Sequence, residues 1–265
     1  MPHERLELSA LSPDLTDALA PRHRWYLFIK ACIEWMGALL LSVPIIPLVV
    51  VLAVLVKLTS HGPAFYAQVR VGRNGRNFLM YKLRTMTHGC EAQTGPVWSP
   101  PNDVRVTTIG RFLRKSHFDE LPQLLNVLQG HMTLIGPRPE RPELCTRIAR
   151  KLPRFCERLQ LRPGLTGLAQ VRLAADANLS TVRRKLAHDL YYVREVHPVL
   201  DVRVALATVL YMIGITLQSL GSFLTKSYAQ AVEPDRETDD QFDEEVYEMP
   251  AAEPDLTPLA AAATH

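Results

Sequence analysis

Residues 110–140 read GRFLRKSHFDELPQLLNVLQGHMTLIGPRPE and hold the densest set of chemically capable side chains in the chain. Two adjacent carboxylates, Asp119 and Glu120, stand among four cations, Arg111, Arg114, Lys115 and Arg138. Acids embedded among bases suit chemistry on a phosphorylated, metal-bound substrate. Neighbouring residues on a helix do not share a face. At a helix N-terminus, however, both carboxylates can reach one site, and the helix dipole favours their charge. A purely structural role competes with this, because Ser116-x-x-Asp119 matches a capping box. Capping requires only one carboxylate, and the surroundings are unusually cationic.

Three other clusters bear on the same chemistry. In Gly136-Pro137-Arg138-Pro139 two prolines restrain the backbone on either side of one guanidinium, preorganising a planar fork suited to a phosphate. An exposed turn with an arginine is the plainer alternative. Arg162-Pro163-Gly164-Leu165-Thr166-Gly167 places a cation at the mouth of a glycine-containing loop that permits close backbone approach. It lacks the strand-to-helix context of a nucleotide-binding loop. In Tyr81-Lys82-Leu83-Arg84 the two cations share one face of an extended strand, as a phosphate contact or as guards of a strand edge. The nine histidines form no zinc-binding pattern.

The elements that must position these residues are legible in outline. Residues 64–83 read as two strands around Asn74-Gly75, a strong hairpin signal. Residues 119–130 have the apolar period of a helix in Leu121, Leu124, Leu125 and Leu128, with Gly130 as its stop. Residues 131–139 form a short strand or loop ending in a rigid turn. Residues 143–159 and 180–196 are expected to be helical, the second with Leu186, Leu190 and Val193 on its buried face and Pro198 at its end. Residues 204–217 are apolar but too short to span a bilayer, which fits a core helix or one at the membrane interface.

Trp35–Val56 is a run of 22 residues without a charge. At 1.5 Å per residue it reaches roughly 33 Å, enough to cross a bilayer core of about 30 Å. Pro44 and Pro47 interrupt the run, each removing a helical hydrogen bond, and Ser42 can satisfy a freed carbonyl in lipid. Cations flank both ends: Arg22, Arg24 and Lys30 before it, Lys57, Arg70, Arg73 and Arg76 after it. A straight span would place one cationic flank outside the cytoplasm. A re-entrant hairpin broken at Ser42, Pro44 and Pro47 would not, and the charge pattern favours it.

The net charge of +3 conceals an asymmetry. Residues 233–255 hold eleven acids and one base, and removing that −10 leaves +13 on residues 1–232. A basic body implies anionic partners. A soluble nucleic-acid binder would account for the cations, but the apolar run argues against it. The four cysteines show no C-x-x-C pairing and read as reduced, buried thiols of a cytosolic compartment. The expected organisation is a flexible arm (1–24), a membrane hairpin (25–57), a cytoplasmic catalytic domain with interfacial helices (58–225) and a disordered acidic tail (226–265). The expected fold class is α+β, predominantly helical with a small β-hairpin and a membrane-embedded helix–break–helix.

The segments SHGPAFYAQVRVGRNGRNFLMYKLRTM, RVTTIGRFLRKSHFDELPQLLNVLQGHMTLIGPRPE, RPGLTGLAQV and HDLYYV together resemble the bacterial sugar transferase family, the monotopic polyprenyl-phosphate phosphoglycosyl transferases. The resemblance covers about 190 residues from near Lys30. It implies transfer of a sugar-1-phosphate from a UDP-sugar to undecaprenyl phosphate, the first membrane step of exopolysaccharide, capsule, O-antigen or glycan assembly. It places the family's catalytic pair on Asp119 and Glu120, with the aspartate as covalent nucleophile, UMP as leaving group and Mg²⁺ as cofactor. The phosphate-contacting arginine falls on Arg138 and the family lysine on Lys82. The membrane hairpin falls on 35–56, so the protein would sit in the bacterial cytoplasmic membrane among anionic lipids, its catalytic domain on the cytoplasmic face. Glu120 would hold the metal or orient the nucleophile. A homodimer through the soluble domain is compatible with the resemblance.

The departures are mild. Leu83 replaces the usual Phe of Y-K-F-R, Glu34 stands where Asp is common, and His117-Phe118 precede the acid pair in place of a small polar residue and Leu. The acidic tail is outside the pattern, and the resemblance leads to the expectation that the chain groups with the family's short forms. The rival reading is a non-catalytic membrane-surface scaffold of a polysaccharide assembly system. It predicts that Asp119→Asn leaves function intact, and the enzyme reading predicts near-complete loss.

Overall fold

A computed structural model describes residues 21–90, 103–173 and 179–212. The expected N-terminal arm, the acidic tail and residues 213–217 of the apolar segment lie outside the described residues. What is described is mostly helical, with two small sheets. Helix α1 (Arg24–Thr59) leads into the antiparallel hairpin β1 (Phe65–Val71) and β2 (Asn77–Leu83). Helix α2 (Thr108–Ser116) is followed by a 3-10 helix (Phe118–Gln123), α3 (Leu124–Leu128) and β3 (Thr133–Ile135). Helix α4 (Pro142–Lys151), another 3-10 helix (Pro153–Gln160), β4 (Gly164–Thr166) and α5 (Leu168–Arg172) follow. Helices α6 (Leu179–Glu195) and α7 (Pro198–Met212) complete it, with Pro198 opening α7 at a position where its missing N–H costs nothing.

Helix α1 departs from expectation. It runs unbroken through Pro44 and Pro47, where the sequence suggests an interruption. The prolines cost the bonds to the Leu40 and Val43 carbonyls without ending the helix. The Ser42 hydroxyl donates to the Ala38 carbonyl at 2.7 Å, not to either freed carbonyl. One stripe of α1 faces the rest of the protein: Tyr26, Lys30, Glu34, Ala38 and Ser42, then Leu52 and Val56, at four-residue spacing. The stripe touches one body along its whole length. Tyr26 packs with α6 and α7, Ala38 with Phe78 and Met80 of β2, and Leu52 and Val56 with Leu83 and Leu113. Elsewhere the helix is apolar and exposed, including Phe28, Ile33, Leu40, Val43 and Val50, and it is long and apolar enough to cross a membrane.

The first half of α1 is tied down by buried charge. Lys30 Nζ bridges Glu34 at 2.6 Å and Asp201 of α7 at 2.8 Å. The Tyr26 and Tyr192 hydroxyls both donate to Asp201, and Glu34 accepts the Ile135 N–H at 3.0 Å. Buried charges are tolerated only when paired and hydrogen-bonded in this way.

The second half is tied by Arg84. Its guanidinium donates to the Ser60 carbonyl (2.8 Å), the Ser60 hydroxyl (2.7 Å) and the His61 carbonyl. These are the chain's exit from α1, whose C-cap is Ser60. Gly62, at φ +110, leaves room for that guanidinium, since a Cβ there would lie 2.2 Å from it. Arg84, expected to share a phosphate site with Lys82, is instead engaged at the α1 exit, while Lys82 contacts Glu120. Arg84→Ala should lower stability by about 2–3 kcal/mol, the worth of buried bonds to a charged group. The check is thermal unfolding in detergent, and an unchanged unfolding midpoint would show that Arg84 does not hold the α1 exit.

The Asn74-Gly75 turn forms as expected, with both residues at positive φ. Strand β4 is absent from the sequence reading. It pairs in parallel with β3, Thr133 opposite Gly164 and Ile135 opposite Thr166. Expected free thiols at Cys145 and Cys156 are buried, but Cys32 is exposed on α1. Burial pushes the Cys145 thiol up to about 12.

Candidate active site

Local geometry at the acid pair begins with a cap. Thr107 Oγ1 accepts the Gly110 N–H at 3.0 Å and starts α2. His117 ends α2 in the left-handed region (φ 59°, ψ 17°), a conformation that bulky residues adopt rarely. The chain reverses there and enters the 3-10 helix, so Asp119 and Glu120 lie in its first turn. The capping box suggested by Ser116 does not form. Ser116 lies in the last turn of α2, and its hydroxyl donates to the Phe112 carbonyl at 2.9 Å. The 3-10 turn also shifts the helical phase. Leu124 and Val127 are buried and Leu125 is 47% exposed, so the expected leucine stripe is only partly internal.

Lys82 reaches the pair from β2. Phe78 and Met80 point from that strand into the cluster formed with Leu124 and Val127. Lys82 continues the same face and contacts Glu120 Oε1 at 2.8 Å. Asn126, fully buried, docks α3 on the free edge of β2. It accepts the Tyr81 N–H (3.1 Å) and donates to the Leu79 carbonyl (2.6 Å). Neither its type nor its spacing marks it in the sequence.

Arg138 arrives from the other side. The Gly136 N–H donates to Thr166 O and the Gly164 N–H donates to Pro137 O, both at 2.9 Å. A Cβ on Gly164 would lie 2.1 Å from Gly136 N, so the glycine permits close approach of two protein backbones rather than of a phosphate. From this platform the Arg138 guanidinium forks onto both oxygens of Glu120, at 3.2 Å to Oε2. Arg162, at the mouth of the same loop, is exposed, and among the described residues no hydrogen bond or ion pair joins it to the cluster. The structure therefore brings Asp119, Glu120, Lys82 and Arg138 together and leaves Arg84 and Arg162 outside.

The two carboxylates differ in state. Burial would push Glu120 up, but Arg138 and Lys82 overcome it and hold the carboxyl well below its usual range. Asp119 is 7% exposed. Burial pushes it up and Glu120 adds to this; Lys82, Arg138 and Arg114 only partly offset them, so its carboxyl is raised. Among the described residues no hydrogen bond or ion pair claims the Asp119 oxygens. Two titratable groups driven apart by environment are the mark of divided chemical roles.

Among the described residues no group of three or more His, Cys, Asp or Glu gathers at one point. Magnesium is commonly held by one or two carboxylates, with water and substrate phosphate completing its octahedron. The donor set fits an ion held in that way, and not one caged by the protein alone.

Sequence reasoning missed Arg158 and Asp189, a buried pair at 2.6 Å on the far side of Arg138. Asp189 lies in the HDLYYV segment and Arg158 in no motif, and nothing in their types or spacing pairs them.

The family model of the bacterial sugar transferases matches residues 25–214. A UDP-N-acetylgalactosamine-undecaprenyl-phosphate N-acetylgalactosaminephosphotransferase of Aeromonas hydrophila is 40% identical over 185 residues, 69% of this chain and 43% of that protein. A UDP-glucose:undecaprenyl-phosphate glucose-1-phosphate transferase of Caulobacter vibrioides is 40% identical over 182 residues, 68% of each chain. An exopolysaccharide production protein, PSS, of Rhizobium leguminosarum is 36% identical over 195 residues, 69% of this chain and 94% of that one. The chain spans about two fifths of the length of the Aeromonas relative. The matched segment, residues 25–214, contains α1, the acid pair and the Arg138 loop, and by that match the chain belongs to the bacterial sugar transferase family.

Proposed function

We propose that this protein transfers a sugar-1-phosphate from a UDP-sugar to undecaprenyl phosphate through a phosphosugar–Asp119 intermediate. The observation that carries the reading is the asymmetry of the acid pair. Asp119 is desolvated and, among the described residues, unclaimed, beside a Glu120 neutralised by two cations. In the first step an Asp119 oxygen attacks the sugar-bearing phosphorus. The bond from that phosphorus to the bridging oxygen breaks, and UMP leaves with that oxygen. In the second step a phosphate oxygen of the polyprenyl acceptor attacks the same phosphorus and releases the Asp119 carboxylate. Lys82 and Arg138 are placed to receive the charge that builds on the phosphoryl oxygens, with Glu120 holding both in position. Magnesium, bound by Asp119 or Glu120 with substrate phosphate, would supply Lewis-acid charge neutralisation. The relatives' names span N-acetylgalactosamine and glucose donors, so the sugar stays open.

Helix α1 is read as a membrane element that keeps both ends on one side, as a re-entrant segment would, but without a break in the helix: both its halves pack on one body, and a straight span would carry them to opposite sides. Exposed Val199, Val202, Leu206 and Val209 make α7 an interfacial helix beside it. This placement brings the acid pair to the surface where a lipid phosphate meets a soluble nucleotide, and the basic body suits anionic headgroups.

The test is UMP release by detergent-solubilised protein with undecaprenyl phosphate, magnesium and a panel of UDP-sugars. Release with one or more donors supports the reading. Silence with every donor, from folded protein, favours the scaffold alternative. The pH profile is a second check. Protonation removes the attacking anion, so kcat should fall as pH drops through the raised Asp119 value. That acid limb should lie above the ordinary aspartate value of about 3.9. Glu120 stays ionised across it. A limb at or below the ordinary value would contradict Asp119 as the attacking group.

A further inference from the structure

We infer that Arg158, locked by Asp189, is a positioning residue that sets the direction of the Arg138 guanidinium. The inference rests on the transferase reading above. Arg138 sits on a loop, and a fork aimed at a phosphoryl group is useful only if the backbone beneath it is immobile. Two arginines hold that backbone from behind. Arg158, in the 3-10 helix Pro153–Gln160, donates to the Arg138 carbonyl at 2.6 Å. Arg70, on β1, donates to the next carbonyl, Pro139, at 3.1 Å and contacts Glu140 at 3.4 Å. The Val71 N–H donates to the Glu140 carbonyl at 2.9 Å. Three consecutive carbonyls after Pro137 are thereby occupied.

Arg158 is the costliest of these groups to bury. It is 6% exposed and Asp189 is 4% exposed. Their 2.6 Å pair joins the 3-10 helix to α6. The Arg158 guanidinium also lies 4.9 Å above the Phe155 ring. A buried ion pair of this kind is weak support for stability, because apolar replacements of similar volume often serve as well. Its geometry offers a second use. A single Arg158 nitrogen, Nη2, meets both Asp189 and the Arg138 carbonyl, so α6 is linked to the Arg138 loop through one atom.

The test measures kcat and donor KM for UMP release in a mutant cycle with Arg138→Met. Arg158→Met strands Asp189 in the interior and risks unfolding, so the informative variant is Arg158→Met with Asp189→Leu. It removes both charges together and is checked by thermal unfolding. Expected is a loss in kcat of about tenfold to a hundredfold in the wild-type background. No further loss is expected when Arg138 is already methionine. Arg158→Lys, which can still donate to the carbonyl, should recover part of the rate. Arg154→Ala, an exposed residue of the same 3-10 helix, should be neutral. Wild-type rates in the folded double variant overturn the inference. So does a loss of equal size in both backgrounds, which is what a purely structural role produces. An inactive wild type instead refutes the transferase reading itself, and an Arg138→Met variant of full activity removes Arg138 from the chemistry and overturns the inference.

Discussion

Asp119→Asn should give a folded protein with sugar-phosphate transfer reduced by roughly 10⁴-fold or more, the scale of losing a covalent nucleophile. An amide has no anionic oxygen to attack phosphorus, and the substitution leaves volume and shape nearly unchanged. The same variant should be more stable than the wild type. The fold raises the Asp119 carboxyl, so it favours the protonated form. The ionised form therefore costs stability as pH rises through that raised value. Near neutral pH the amide removes that cost, so the unfolding midpoint should rise as activity disappears. Loss of activity with a lower midpoint would point to a structural aspartate. Retained transfer would remove Asp119 as the attacking group.

Arg138→Met should lower kcat by about 10²–10³-fold, the scale of one preorganised donor to a developing charge. The loss has two parts. One is the missing fork itself. The other falls on Glu120, which keeps only its 2.8 Å contact with Lys82, so its carboxyl rises toward the ordinary range. Because a fully depressed Glu120 is more acidic than its unfolded form, its contribution to stability is present above the ordinary glutamate range. That contribution is lost as pH falls through the depressed value. In the variant that contribution is smaller and its loss is complete at higher pH, visible as lower stability near neutral pH and an acid-unfolding midpoint displaced upward. Arg138→Lys should recover only part of the rate, since an ammonium cannot fork onto both oxygens of a phosphate. Full activity in Arg138→Met would remove this residue from the site.

Local chemistry was the legible part of the sequence. The hairpin at Asn74-Gly75, the acid pair and the arginine between two prolines each announce themselves through residue type at short range, and the structure gathers Lys82, Glu120 and Arg138 within direct contact. Long-range partners were not legible. Lys82 and Arg84 look equivalent on a strand, yet one meets Glu120 and the other the exit from α1, because Arg84 lies one residue beyond β2. Arg162 looked like the entrance to a phosphate loop, but the glycines beside it serve the β3–β4 backbone contact. The Arg158–Asp189 pair joins residues 31 apart with no motif between them, so periodicity could not reveal it. The prolines of α1 suggested a break because intrahelical bonds must be lost there, and the helix tolerates both losses.

The most direct test of Asp119 as nucleophile is to incubate the protein with a UDP-sugar labelled in the sugar-bearing phosphate, without lipid acceptor, and to map the label by mass spectrometry. A phosphosugar on the peptide containing Asp119, discharged when undecaprenyl phosphate is added, is the predicted result. An unlabelled protein that releases UMP only when acceptor is present would contradict a covalent intermediate.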